Sequence, residues 1–126
     1  VSNEIPSDVR RKVNDRDEMR CQACGAIGTE IQHRMRRREG GHRMSNLIRV
    51  CSNDHRAIHA NPSWALELGF TLSAVFEAVD PSTAPVRTYR GWVLFDDEGS
   101  FRVVAPRAVP PADLAGYLSY EAAPEG

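Results

Sequence analysis

Two cysteines three positions apart, Cys21 and Cys24, with Gln22 and Ala23 between them and Gly25 after, limit this chain more than any other feature. A turn of that length points both sulfurs at one ion, and a glycine after it permits the close backbone path. The spacing is commoner in metal sites than in stable disulfides. Cys51 makes the count odd, so a disulfide framework would leave one thiol over. Both points predict a reducing, cytoplasmic setting. A chain of 126 residues can bury only a small core, and a metal staple would help it. No apolar run approaches the ~20 residues of a membrane span, and no secretory segment is visible near the start.

The next constraint is the stretch 30–61. All four histidines lie there, at His33, His42, His55 and His59. Between Arg34 and Arg49 stand six arginines and one acid, Glu39. The whole-chain net charge of −1 hides this asymmetry. Residues 1–59 carry twelve Arg/Lys against eight Asp/Glu, and residues 60–126 carry four against nine. The basic stretch reads either as a solvated loop or as a phosphate-contacting surface. The acidic second half would then dock a partner, or cover the basic groove until nucleic acid competes.

Taken in order, Pro6-Ser7-Asp8 starts a charged helix ending near Arg20, with Val9, Val13 and Met19 as its apolar stripe. The knuckle follows, then a short alternating strand around residues 30–34. An arginine-rich loop over 34–43 contains Gly40-Gly41, and residues 47–51 form a second strand. Ser52-Asn53-Asp54 opens a helix to Ala60, placing His55 and His59 one turn apart on one face. Asn61-Pro62 ends it, and Ser63 caps a further helix over 64–68 stopped by Gly69. Residues 70–76 read as extended, and 80–85 as a turn-rich linker. Residues 89–95 and 100–105 flank Asp96-Asp97-Glu98-Gly99 as a hairpin. One short helix is expected near 113–120. Trp64, Phe70, Trp92 and Phe95 are read as core, and the three acids as a hairpin tip.

Strand, basic loop, strand and helix, with His33, Asn46, His55 and His59 in that order, resemble the HNH endonucleases. The nearer likeness is to the small HNH proteins of bacteriophages and actinobacteria. Those carry Cys-x-x-Cys, a His/Arg-rich loop with Gly-Gly, Asn-Leu, and then Cys-x-x-Cys-His-x-x-x-His. The likeness covers about residues 16–70; residues 91–99 are similar to the tail of some phage members. The resemblance implies an α+β fold with a ββα-metal (His-Me finger) core, an N-terminal helix and a C-terminal β-hairpin extension. It divides the chain into a zinc-stapled core over 1–70 and an extension over 71–126, with its hairpin at about 88–105 and an acidic tail.

By the same resemblance, His33 is the general base, Asn46 holds the loop that aims it, and His55 and His59 bind a catalytic divalent cation (Mg, Mn, Ni or Zn). Arg34, Arg36, Arg37, Arg38 and Arg43, with His42, are the candidate DNA phosphate contacts. His42 also reads as a plain exposed loop residue. Two positions depart from the family pattern. Gln32 stands where many members have Asp or His as a further ligand, so the ion would have a weaker amide donor there. Asp54 stands where the fourth cysteine of the structural zinc site falls. Cys21, Cys24 and Cys51 with Asp54 make four ligands; alternatively Asp54 only caps the helix. The expected activity is hydrolysis of DNA phosphodiester bonds with little sequence specificity, in the host cell if the chain is phage-encoded. The alternative is a zinc-stapled module that binds nucleic acid or a partner such as the phage packaging machinery.

Overall fold

The computed structural model describes residues 4–36, 40–73 and 79–107. Helix α1 spans Ser7–Asp17, β1 Glu30–His33, β2 Leu47–Val50, α2 Ser52–Ala60 and α3 Pro62–Leu68. Three strands follow: β3 Val86–Thr88, β4 Gly91–Phe95 and β5 Phe101–Ala105. The chain is therefore α+β, with two small antiparallel sheets among the described residues, β1-β2 and β3-β4-β5.

Helix α1 stops three residues before the expected Arg20. Glu18 and Met19 both take left-handed backbone, with φ of 56° and 59°. Their amides fold back onto Asp15 and Asn14 carbonyls, which closes the helix and turns the chain toward β2. There the Gln22 amide donates to the Arg49 carbonyl at 2.9 Å. The buried Arg16–Asp17 pair anchors that turn. Arg16 bonds both Asp17 oxygens and the carbonyls of Met44 and Leu47, and its guanidinium lies 3.7 Å from the Phe95 ring centroid.

Strands β1 and β2 pair in the register Glu30↔Val50 to His33↔Leu47. Helix α2 follows β2 after a single residue and packs on β1. Helix α3 begins two residues earlier than Ser63 capping would place it, with Asn61 as N-cap and Pro62 as its first residue. The fixed φ of proline suits that position, and its missing amide would have had no partner there. Residues 70–73 form no strand, and the remainder of that expected extended segment and the expected 113–120 helix lie outside the described residues. The expected linker contains a single 3-10 turn, Pro81–Thr83.

The hairpin is β4-β5, and Gly99 at its turn has φ 92°. Strand β3, three residues long, joins it as a third strand, which the sequence reading lacked. One cluster of buried side chains draws on the knuckle, β2, both later helices and the second sheet: Cys21, Ile48, Val50, Ile58, Leu68, Phe70, Val86, Trp92, Val93 and Phe95 are among its members. Trp64 is only partly buried against it. No helix among the described residues is long and apolar enough to cross a membrane.

Candidate functional site

The knuckle closes as the spacing predicts. The Gly25 amide donates to the Cys21 carbonyl at 2.7 Å, and the Cys21 amide to that of Ala26 at 2.6 Å. Gly25 has φ 83°, and a Cβ there would meet the Tyr89 ring at 3.3 Å, so both conformation and space favour glycine. The turn places Cys21 and Cys24 against the start of α2. Cys51 is the N-cap of that helix, its sulfur accepting the Asp54 amide at 3.4 Å. The Asp54 carboxylate lies 3.1 Å from the Cys21 sulfur and 3.3 Å from that of Cys51.

The donor atoms of Cys21, Cys24, Cys51 and Asp54 all lie within 4.8 Å of one another. Zinc–sulfur bonds of about 2.3 Å set tetrahedral donors roughly 3.7 Å apart, so a small contraction gathers these four around one ion. The donor chemistry fits: three thiols and a carboxylate form a set that can hold a metal ion. Burial raises the Cys21 and Cys24 thiols above their ordinary value. Burial pushes Asp54 the same way, but hydrogen bonds from the three thiols outweigh it and hold the carboxyl below its usual range. Asp54 thus has two roles at once, since its amide caps on Cys51 while its carboxylate joins the cluster.

The histidines form two pairs rather than one cluster. His33, at the end of β1, brings Nε2 to 3.1 Å from Nδ1 of His42. Between two imidazoles at that distance one nitrogen donates and the other accepts, so His42 fixes the orientation of His33. His55 and His59 lie one turn apart on α2, their rings tilted 45° to each other with centroids 4.8 Å apart. The Nδ1 atom of His55 bonds the Glu30 carboxylate on β1. Strand alternation places Gln32 on the same face as Glu30. Its Nε2 donates to the Phe70 carbonyl at 2.9 Å, while its Oε1 is buried without a hydrogen-bond partner. A buried orphan oxygen costs about 1–3 kcal/mol, and a ligand of positive charge would satisfy it. Glu30, His55 and His59 line one open pocket.

Asn46 is fully buried and ties the intervening loop at three points. Its Oδ1 accepts the Met35 amide at 2.8 Å, and its Nδ2 donates to the carbonyls of Met35 and Gly41. A Cβ on Gly40 would sit 2.6 Å from that amide group, which accounts for one of the paired glycines.

Of the four described arginines in the basic stretch, Arg34 and Arg49 are buried and Arg36 and Arg43 are exposed. Arg34 is a correction to the expected phosphate surface. It is 2% exposed, and its guanidinium donates to the carbonyls of Gly69, Ser45, Pro81 and Ala84. Burial and the neighbouring Arg16 pull its pKa below the ordinary arginine value. Arg43 is reachable but engaged by Asp80 and Asp97, each at 2.7 Å. Arg49, 8% exposed, bonds the Gly28 carbonyl and Asn14. Arg36 is exposed; Arg37 and Arg38 lie outside the described residues. Three further residues escaped the sequence reading: Glu30, as the partner of His55, and Asp80 and Asp97, as the clamps on Arg43. Strand alternation two residues ahead of Gln32 was the available signal for Glu30.

Compared with family models, curated proteins and solved structures, the chain finds no match in any of the three.

Proposed function

We propose that the chain is a divalent-metal-dependent DNA endonuclease of the HNH class. The observation that carries this reading is the placement of His33 beside His42 at the end of a β-hairpin whose loop Asn46 fixes, with His55 and His59 on the helix packed against the same hairpin. In this reading His33 takes the proton from the water that attacks phosphorus, a task suited to imidazole near neutral pH. His42 holds the ring, and Asn46 holds the loop on which His42 sits. Arg36 contacts the backbone phosphates, and Arg43 joins it when a phosphate displaces Asp80 and Asp97. The residues to hold the catalytic cation are His55 and His59, with the orphaned Gln32 Oε1 as a neutral third donor. Glu30 on the Nδ1 side leaves ligation by His55 to its Nε2. A bound cation supplies charge neutralisation at the phosphate and the departing 3′ oxygen. The ion suited to Cys21, Cys24, Cys51 and Asp54 is zinc, acting as a staple that fixes where α2 begins.

The experiment is plasmid nicking with Mg²⁺, Mn²⁺, Ni²⁺ or Zn²⁺, comparing the wild type with His33→Ala. A loss of about 10²-fold or more is expected from removing a general base, and full activity in His33→Ala would sink the mechanism.

A second reading has its own support. Among the described residues, only the cysteine cluster brings together three or more Cys, His or acidic donors close enough to hold an ion, and Gln32 is half spent on Phe70. This favours a metal-stapled module that binds nucleic acid or a protein partner, such as part of a phage packaging machine, without cutting. Calorimetric metal titration separates the two: one site per chain supports the module, two the nuclease.

A further inference from the structure

The cysteine cluster is bordered by the second sheet as well as by the knuckle and α2. A cavity of about 150 Å³ opens beside it, and its wall joins Cys24 and Asp54 to Arg87 and Arg107. Arg87 stands on β3 and is 7% exposed; its Nε donates to the Arg107 carbonyl at 3.0 Å. That bond ties the two arginines together, although they lie 20 residues apart. Much of the remaining wall is apolar, with Trp64, Leu68 and Phe70. Charges along such a wall interact more strongly than in open water.

A divalent ion among three thiolates and one carboxylate leaves an excess of two negative charges. Cys21 is fully buried, so part of that excess sits away from water, where uncompensated charge is costly. Among the residues lining the cavity, Arg87 and Arg107 are the only cations. We propose that Arg87 and Arg107 form a cationic wall for the metal centre and strengthen its hold on the ion. The three-stranded sheet is then a working part of the centre. This rests on the reading of Cys21, Cys24, Cys51 and Asp54 as metal ligands.

The test measures zinc affinity of the full chain by competition with a chromogenic chelator, together with the rate of zinc release. The wild type is compared with Arg87→Lys, Arg87→Met and Arg107→Gln. Removing an outer partner of a metal ligand typically costs 10–100-fold in affinity. A loss on that scale is expected in Arg87→Met and Arg107→Gln, with faster release, and most of the affinity should survive in Arg87→Lys. Neutral variants that hold zinc within about twofold of the wild type, well short of that range, overturn the proposal and leave the four ligands standing. Arg87→Lys as weak as Arg87→Met also overturns it, because geometry and not charge would then be the cause. A wild type that takes up no zinc instead removes the ligand reading beneath it. If far-UV circular dichroism shows that Arg87→Met does not fold, Arg107→Gln decides, its side chain being only half-buried at the end of the sheet.

Discussion

Arg34 and Arg36 stand two residues apart in one basic run, and their removal should have opposite consequences. Arg34→Met strands four carbonyl oxygens that the guanidinium now serves. Unsatisfied buried groups of this kind cost about 1–3 kcal/mol each before relaxation. A net loss of roughly 3–5 kcal/mol is expected, since neighbouring losses do not add fully. Denaturant titration measures it. Arg36→Ala should leave the midpoint unchanged and weaken DNA binding in a filter or anisotropy assay. Equal loss of stability in both variants would remove the distinction between inner and outer arginines. The sequence could not make that distinction, because composition shows six arginines and not which carbonyls lie behind them. Asn46 belongs to the same scale. Asn46→Ala frees the Met35 amide and two carbonyls, and about 2–4 kcal/mol of destabilisation is expected from buried groups left unpaired. Its place in the motif was legible; its bonding to both ends of the loop was not, because that depends on how residues 35 and 41 return to it.

At the scale of elements, the hairpin tip bears on the loop of the proposed catalytic site. Asp96 caps its own turn, accepting the amides of Glu98 and Ser100. Asp97 reaches across to the Ser45 amide and hydroxyl and to Arg43. Burial alone would raise the Asp97 carboxyl, but the hydrogen bonds from Arg43 and Ser45 prevail and hold it below the usual carboxylate range. A carboxyl whose folded pKa is depressed adds stability above its unfolded pKa and loses it as pH falls through the folded value. The wild type should therefore lose stability from about pH 5 downward, and Asp97→Asn should show a shallower slope over that range. Parallel slopes in urea titrations at stepped pH would show that Asp97 contributes nothing through its charge. The hairpin was legible from its turn chemistry. Strand β3 was not: three residues give no period to read, and Val86 is placed by pairing with Val93.

For the whole molecule, the two halves of the charge asymmetry meet. Asp80 and Asp97 from the acidic half hold Arg43 from the basic half, and Arg87 and Arg107 face the cavity beside the cysteine cluster. The order of strand, loop, strand and helix could be read in advance, because glycines, prolines and capping residues punctuate it locally. The shared core could not, since it gathers residues as far apart in sequence as Cys21 and Phe95 into one buried cluster. That cluster includes a metal-ligand candidate, so metal removal should loosen more than the knuckle. Zinc in small domains contributes on the order of 10 kcal/mol of apparent folding free energy, comparable to the whole net stability of an ordinary domain, about 5–15 kcal/mol. Chelation of the zinc-loaded chain should therefore unfold it or leave it marginal. Loss begins at α2, whose N-cap is Cys51 itself, and reaches β2 and the second sheet through Val50, Val86 and Trp92. Far-UV ellipticity and tryptophan fluorescence, followed together during chelation, should fall in one transition. Persistence of the native tryptophan signal after the zinc has gone would mean that the core stands without its staple, and that the metal serves only to hold the start of α2.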